Sequence, residues 1–311
     1  MSETTISRTK KYVTKLAWMI SWSLRALRPG QFPIYAAGLA LFLSGLVHVG
    51  VWFVEGSSWQ GPLSWRKPIL FGLSGGVTAI SVGWVLGVMP RWKLDRWLGW
   101  TFAISIVIEV ALITMQTWRG VRSHFNHETA FDEGVYGMMG VLILIVTFII
   151  GFLAVRSHSR LETSPSMGVA IRGGLWFLLA ACLLGWLIQQ IGEQQLASGG
   201  NAEIYGQAGV LKFPHGMSLH AIQALPILVW MCAVGGSREG QKLWAVWSAV
   251  VGYLLLTIYS VVQTFEGRAR YDLTMTTGAL LLLGMAGVGL PFLLATVGMA
   301  KRPFKAGTTI A

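Results

Sequence analysis

Stretches of about twenty apolar residues recur along most of this 311-residue chain, with little sequence between them. A helix of roughly 20 apolar residues crosses the hydrocarbon core of a bilayer, which is about 30 Å thick. Hydrophobic residues make up 54% of the chain and charged residues only 12%, outside the usual range of soluble domains. The sequence therefore predicts an all-α integral membrane protein. The eight predicted transmembrane helices cover residues 33–54, 69–89, 97–117, 135–155, 173–192, 214–234, 243–264 and 275–299.

The basic residues are divided unequally between the two sides of this predicted bundle. Most of the 24 Lys and Arg residues fall on the side that carries the termini. The positive-inside rule then places both termini in the cytoplasm, which agrees with an even number of spans. The net charge of +11 is thus interpreted as a topology signal, and nucleic acid is not expected as a partner. We expect a multi-pass protein of the bacterial cytoplasmic (inner) membrane, with the lipid bilayer as its first partner.

Residues 1–32 precede the first predicted span and contain Trp18, Met19 and Trp22 among several Lys and Arg side chains. This mixture is typical of an amphipathic helix that lies on the cytoplasmic leaflet. A helix that binds another protein is the alternative. Residues 300–311 are predicted to be a cytoplasmic tail.

An internal repeat is visible at one constant offset along the chain. Trp97 then corresponds to Trp244, and the stretch 115–120 (MQTWRG) corresponds to 262–267 (VQTFEG). Because each unit holds an even number of spans, the two copies enter the membrane in the same orientation. The prediction is two parallel four-helix halves, residues 33–156 and 173–299, joined by a cytoplasmic linker over 157–172.

Ionisable and amide side chains gather near span ends on the predicted outer side. Glu109 falls inside the third span, where an ionised group costs at least about 2.5–3.5 kcal/mol. It is either a functional carboxylate or a buried acid hydrogen-bonded to a neighbouring helix, and Gln116 and Arg119 are its expected partners. Arg119 could instead extend toward lipid headgroups.

The stretch 64–68 (SWRKP) places Arg66 and Lys67 directly before the proline that opens the second span. Proline suits the first turn of a helix, and free N–H groups beside two cations favour a carboxylate, a phosphate or a lipid headgroup. Anchoring of Trp65 and the two cations at the membrane interface is the alternative.

Four histidines, His48, His124, His215 and His220, fall in the predicted outer half of the bundle. Imidazole can bind haem iron or a divalent metal, or can transfer protons near neutral pH. Because His215 and His220 are about 140° apart around a helix, they do not form a same-face pair. His220 and Gln223 do share a face, which could meet His48. Each histidine could also be an ordinary hydrogen-bonded membrane residue.

The motifs 65–69 (WRKPI), 116–126 (QTWRGVRSHFN) and 215–226 (HGMSLHAIQALP) resemble those of a family of bacterial multi-pass membrane proteins with no assigned activity. The resemblance covers most of the chain and implies the multi-pass fold. The two-times-four layout is also similar in architecture to haem A synthase and related bundles. That similarity implies haem held by histidines of each half.

Two functional hypotheses follow, and the sequence does not indicate which reaction, if any, the protein catalyses. The first is a redox or proton-linked protein that holds haem b or a divalent metal. The second is a transporter or receptor for a small anionic solute, with a cavity lined by residues such as Gln263 and Glu266; a structural or lipid-binding role is a third possibility. The candidate catalytic residues are Glu109, Gln116, Arg119 and His124; the candidate ligand-binding residues are Arg66, Lys67, Asn126, Gln223 and Gln263; and the candidate metal ligands are His48, His215 and His220.

Overall fold

The computed structural model describes residues 27–61 and 63–301, most of which are helical. The predicted amphipathic segment and the end of the C-terminal tail lie largely outside the described residues. The helices are α1 (Gln31–Glu55), α2 (Arg66–Val88), α3 (Asp95–Trp118), α4 (Ala130–Arg156), α5 (Pro165–Ala197), α6 (Lys212–Leu219), α7 (Ala221–Val234), α8 (Glu239–Phe265) and α9 (Met275–Lys301). A short antiparallel hairpin, β1 (Ile204–Tyr205) and β2 (Gly209–Val210), precedes α6.

Eight helical stretches among the described residues are long and apolar enough to cross a membrane, with α6 and α7 counted together as one. This confirms the predicted all-α, eight-helix membrane class. We call the end of the bundle that carries residue 27 and Lys301 the terminal face. The opposite end, formed by the loops 56–65, 119–129, 198–211 and 266–274, is the site face.

The sixth predicted span, 214–234, is confirmed as the stretch Lys212–Val234, but the helix is interrupted at His220, between α6 and α7. Ser218 Oγ donates a hydrogen bond of 3.0 Å to the carbonyl of Pro214, a contact that bends helices. Pro226 has no N–H to bond the carbonyl of Ile222, which removes a second helical hydrogen bond. The apolar composition of this segment predicted its length but not the break.

The predicted linker 157–172 is too long, because α5 already begins at Pro165. Ser164 caps this helix by accepting a hydrogen bond from the N–H of Met167, and proline fits the first turn. Arg172, which looked like a loop residue, lies in α5 and donates 2.9 Å to the carbonyl of Ser157. At 33 residues α5 is about 50 Å long, so it extends beyond the hydrocarbon core.

The two halves have corresponding helix neighbours. In the first half α1 packs against α2 and α3, α2 against α3, and α3 against α4. In the second half α5 packs against α6, α7 and α8, both α6 and α7 against α8, and α8 against α9. The second half also packs α7 against α9, a contact without a comparable counterpart between α2 and α4 among the described residues. Glycines allow the closest approaches. A Cβ on Gly72 would lie 2.7 Å from the Cα of Gly45, and one on Gly252 would lie 2.8 Å from the backbone of Gly287.

The turns that leave α3 and α8 have the same local geometry. Gly120 and Gly267 both have φ of +69°, a conformation that glycine adopts without strain. The next N–H donates 3.1 Å back to the carbonyl of Gln116 in one turn and of Gln263 in the other. These matched turns support the predicted duplication.

The halves meet along α4 and α5, and to a lesser extent along α2 and α7. Near the terminal face they share one hydrophobic core, to which both halves contribute fully buried side chains, including Val82, Leu86, Ile150, Ile171 and Leu175. We call the boundary between α2 and α7 the seam.

Candidate functional site

The N-terminus of α2 carries Arg66 and Lys67 at the site face. Pro68 follows them in the first turn, where its missing N–H costs nothing. Lys67 Nζ donates a hydrogen bond of 3.2 Å to Ser123 Oγ in the loop after α3. Ser64, just before the helix, is 3% exposed, and its hydroxyl has no hydrogen-bond partner among the described residues. A hydroxyl, two cations and a helix N-terminus therefore lie together.

Two further cations approach this helix end from other elements. Lys212, the first residue of α6, and to a smaller extent Arg122, in the loop after α3, lie near enough for their charges to act on Lys67. We call Arg66, Lys67, Arg122 and Lys212 the basic cluster. It contains residues from both halves of the protein.

Glu203 is the acidic group whose charge acts on Lys67, and it forms an ion pair with Lys212. Burial alone would raise the pKa of this carboxyl. The hydrogen bond and charge of Lys212, with the charges of Lys67 and Arg66, lower the pKa of Glu203 below its ordinary value. Glu55 accepts a hydrogen bond from Trp65 Nε1, directly before Arg66. Two carboxylates do not balance the four cations, so the cluster keeps a net positive charge.

His124 lies beside the cluster, with Nδ1 3.0 Å from Ser123 Oγ. Its ring centroid is 6.0 Å from that of Phe71 and 6.2 Å from that of Tyr136. Burial, and then the charges of Lys67 and Lys212, lower the pKa of His124 from 6.5 to about 3. The imidazole is therefore neutral near pH 7 and can exchange hydrogen bonds without adding charge.

Asn126 supports the same loop from inside. It is 1% exposed, and its Nδ2 donates 2.9 Å to the carbonyl of Arg122. Its Oδ1 accepts a hydrogen bond of 3.2 Å from the N–H of Glu128. Both ends of the amide are used by the backbone, so Asn126 positions the loop.

Gln116 and Arg119 close the turn between α3 and α4. Gln116 is fully buried and its Nε2 donates 2.9 Å to Asp132 Oδ1, the same oxygen that Arg119 Nη1 contacts at 2.6 Å. Arg119 also donates to Gln116 Oε1. Asp132, which the sequence did not single out as a site residue, is thus the centre of this network.

Gln263 has the corresponding position after α8. Its Nε2 donates 2.6 Å to each of the carbonyls of Ala269 and Asp272. Glu266 pairs with Arg268 at 3.3 Å. Gln116 and Gln263 therefore both hold the exit turns of their halves.

Glu109 lies in α3 two turns below Gln116, and it is 4% exposed. Its Oε2 has no hydrogen-bond partner among the described residues. Gln116 and Arg119, its expected partners, bond to Asp132 instead. The structure thus separates Glu109 from the polar groups that the sequence suggested for it.

His48 is enclosed by tryptophans of the first half. Its Nδ1 lies 2.7 Å from the carbonyl of Ser44, and its Nε2 accepts a hydrogen bond of 3.1 Å from Trp118 Nε1. The ring of Trp65 stacks on it at 5.8 Å. Both ring nitrogens of His48 are thus used within the first half, where the side chain links the ends of α1 and α3.

His220 faces the other half across the seam. Its Nε2 lies 3.4 Å from Ser74 Oγ, and its Nδ1 lies 3.3 Å from Gln223 Oε1. Gln223 in turn donates 3.3 Å to Thr78 Oγ1. His220 and Gln223 share a face as expected, but that face meets α2.

The structure does not bring His48 and His220 together. Gly72 of α2 packs on α1, whereas Ser74, about 200° further around α2, contacts His220. His215 is bound separately, with Nδ1 2.7 Å from the carbonyl of Ala181. The described residues include no group of three or more His, Cys, Asp or Glu side chains that could hold a metal. These positions do not fit a haem held by His48 and His220.

Several residues of the site were not among the sequence candidates. Arg122, Ser123 and Lys212 lie in clusters that the sequence marked at the outer side, but they were given no catalytic or binding role; they belong to the basic cluster and its support. Ser74 and Thr78, which face the seam, were not marked. Lys212 had a recognisable signal, since it stands directly before an apolar span. Ser74 and Thr78 had no recognisable signal, because serine and threonine are common in transmembrane helices.

The fold defines a multi-pass membrane protein whose apolar helices contact the lipid bilayer. At one face it carries a basic cluster built from both halves. The chain matches no protein-family model, and comparison with curated proteins and with solved structures finds no match.

Proposed function

We propose that the protein binds a small anionic solute at the basic cluster and acts as a transporter or receptor for it. The observation that supports this most is the origin of the cluster. Arg66 and Lys67 come from α2 of the first half and Lys212, which pairs with Glu203, from α6 of the second. An anion between them would lower their mutual repulsion and link the two halves.

The chemistry of the cluster suits a phosphate or a carboxylate. Arginine and lysine form charge-assisted hydrogen bonds with both groups, and the N-terminus of α2 adds a positive dipole end. The unpartnered hydroxyl of Ser64 is a further donor beside that helix end. A free solute and the headgroup of an anionic lipid offer the same oxygen atoms, so the test must separate these two sources.

The distribution of basic residues along the chain supports an extracytoplasmic position for the site face. The resemblance to bacterial multi-pass proteins supports an inner-membrane location. The extracytoplasmic site face and the inner-membrane location are both part of the proposal. Binding of haem b or a metal has less support, because His48 uses both ring nitrogens within its own half.

The test is the thermal stability of the purified full-length protein in nanodiscs of neutral phosphatidylcholine, with increasing inorganic phosphate. We expect phosphate to raise the Tm of the wild type and to have little effect on Lys67→Gln or Lys212→Gln. Lys242→Gln is the matched control, because Lys242 pairs with Glu239 at the terminal face.

A second set of nanodiscs, with anionic phosphatidylglycerol and no phosphate, separates the two sources. A rise in Tm there alone would identify a lipid headgroup as the anion. If neither probe distinguished Lys67→Gln and Lys212→Gln from Lys242→Gln, the proposed anion site would be wrong.

A further inference from the structure

One face of α2 runs from the basic cluster into the membrane. Lys67, Phe71, Ser74 and Thr78 are spaced by four, three and four residues, which places them along a single line of the helix. The last two contact α7 through His220 and Gln223, at 3.4 and 3.3 Å. A line of polar groups thus follows the seam inward from the basic cluster, with Phe71 as its one apolar member.

The opposite side of the seam is a broken helix. The break at His220 follows the eight residues of α6, about 12 Å of helix from the site face. Non-helical backbone at this depth is tolerated where it is buried in protein or lines a water-filled space, not where it faces lipid. The side chain of His220 is exposed, and its contact with Ser74 is exposed too. Because polar side chains within a membrane face the bundle interior or water and not lipid, the imidazole at this break favours water beside it.

The polar lining ends about one turn beyond Thr78. Val82 and Leu86 continue along α2, and Ile222 lies next to Gln223. All three belong to the apolar core that the two halves share near the terminal face, and all three are almost fully buried. The seam is therefore polar toward the site face, and apolar and closed toward the terminal face.

We propose that the seam is a water-filled half-channel that leads anions from the basic cluster to Thr78 and is closed below by the shared core. The inference rests on the proposed function for the charge of the solute. It adds a route through the membrane, with the broken helix at His220 as its inner binding position. Discontinuous helices at membrane depth form such positions in transporters.

Cysteine accessibility in the full-length protein tests the half-channel. Ser74→Cys, Thr78→Cys and Val82→Cys are introduced separately after Cys182 and Cys232 are replaced by alanine. Each variant, in phosphatidylcholine vesicles, is treated with an anionic or a cationic methanethiosulfonate. The thiolate attacks the sulfur of the reagent, forms a disulfide and releases methanesulfinate, so labelling is read as an increase in mass.

We expect Ser74→Cys and Thr78→Cys to be labelled and Val82→Cys to remain unlabelled. The anionic reagent should react at least about tenfold faster than the cationic one, because the basic cluster concentrates anions at the entrance. Adding Lys67→Gln should reduce that ratio. Leu43→Cys is the control. Leu43 lies at a similar depth on α1, since nearby Gly45 packs beside Gly72 of α2, and it is 51% exposed on the apolar outside of the bundle. A cysteine that faces lipid should not react.

The outcomes separate this inference from the proposed anion site. Labelling at Ser74→Cys and Thr78→Cys, without a rise in Tm from either phosphate or phosphatidylglycerol, would support a water-filled seam and overturn the anion site. A phosphate-dependent rise in Tm with no labelling at either position, in protein that is monodisperse on size exclusion, would overturn the half-channel. Labelling of Val82→Cys equal to that of Ser74→Cys would show that the shared core does not close the half-channel below Thr78.

Discussion

The ammonium group of Lys67 donates a hydrogen bond of 3.2 Å to the hydroxyl of Ser123, which joins the first turn of α2 to the loop after α3. The same hydroxyl lies 3.0 Å from Nδ1 of His124, so it can accept from the lysine and donate to the imidazole. Ser123 is 2% exposed and cannot exchange these bonds for water. Lys67 is thereby held at the entrance of the seam.

The two exit turns are expected to respond differently to loss of an acid. Asp132→Ala removes the acceptor of buried Gln116 and of Arg119, and should lower the free energy of unfolding by about 2 kcal/mol. Asp272→Ala is the matched change in the second half, where Gln263 bonds to the carbonyl of Asp272 and keeps its partner. Chemical denaturation in detergent would compare them. Equal losses would contradict the different roles assigned to the two acids.

The contact between α1 and α2 depends on glycine. Gly72→Ala would place a Cβ 2.7 Å from the Cα of Gly45, so the helices must separate, with an expected loss of about 1–3 kcal/mol. Gly50→Ala is the control, because open space surrounds that position and alanine favours the helix by about 1 kcal/mol. Melting temperatures should move in opposite directions. A lower Tm for Gly50→Ala than for Gly72→Ala would exclude this packing.

His124 should make stability depend on pH. The unfolded chain takes up a proton near pH 6.5, whereas folded His124 does so only near pH 3, because of burial and the charges of Lys67 and Lys212. Its contribution is fully present above pH 6.5 and is lost as the pH falls toward 3. Between pH 7 and 5 the loss is about 2 kcal/mol.

The change His124→Gln should flatten this dependence, while His158→Gln, at the terminal face, should leave it unchanged. Thermal unfolding in detergent from pH 7 to pH 5 measures both. A wild-type Tm that stays constant over this range would contradict the position given to His124.

The buried carboxyl of Glu109 is expected to lower the free energy of unfolding of the wild-type protein. Its Oε2 is buried with no partner among the described residues, so Glu109→Met should raise the free energy of unfolding by about 1 kcal/mol. Gln116→Met, two turns further along the same helix face, removes a side chain whose partners are in place and should lower it. A loss of stability in Glu109→Met would show that the carboxyl has a partner.

The helix count and the approximate ends of the spans could be predicted because each span is a long apolar run. The break at His220 could not, since the apolar run continues on both sides of it and the hydrogen bond of Ser218 depends on local geometry. The predicted linker 157–172 was too long because the charge of Arg172 suggested a loop position. Arg172 is charged, but it lies within α5 and reaches back to the backbone of the preceding loop.

The candidate site was predicted in part. Arg66 and Lys67 were recognised from the proline that follows them, and they do lie in the basic cluster. The pairing of Glu109 with Arg119 failed because the turn after α3 brings Asp132 closer to the arginine. The meeting of His48 with His220 failed because sequence does not fix the rotation of α2, which places Gly72 on α1 and Ser74 on α7.

Equilibrium binding of radiolabelled inorganic phosphate to the full-length protein in neutral nanodiscs tests the central claim most directly. We expect saturable binding to the wild type and to Lys242→Gln. Affinity should be at least about tenfold weaker for Lys67→Gln and Lys212→Gln, because each loses a charge-assisted hydrogen bond worth about 1.5–3 kcal/mol. Saturable binding of equal affinity in all four proteins would contradict an anion site at the basic cluster.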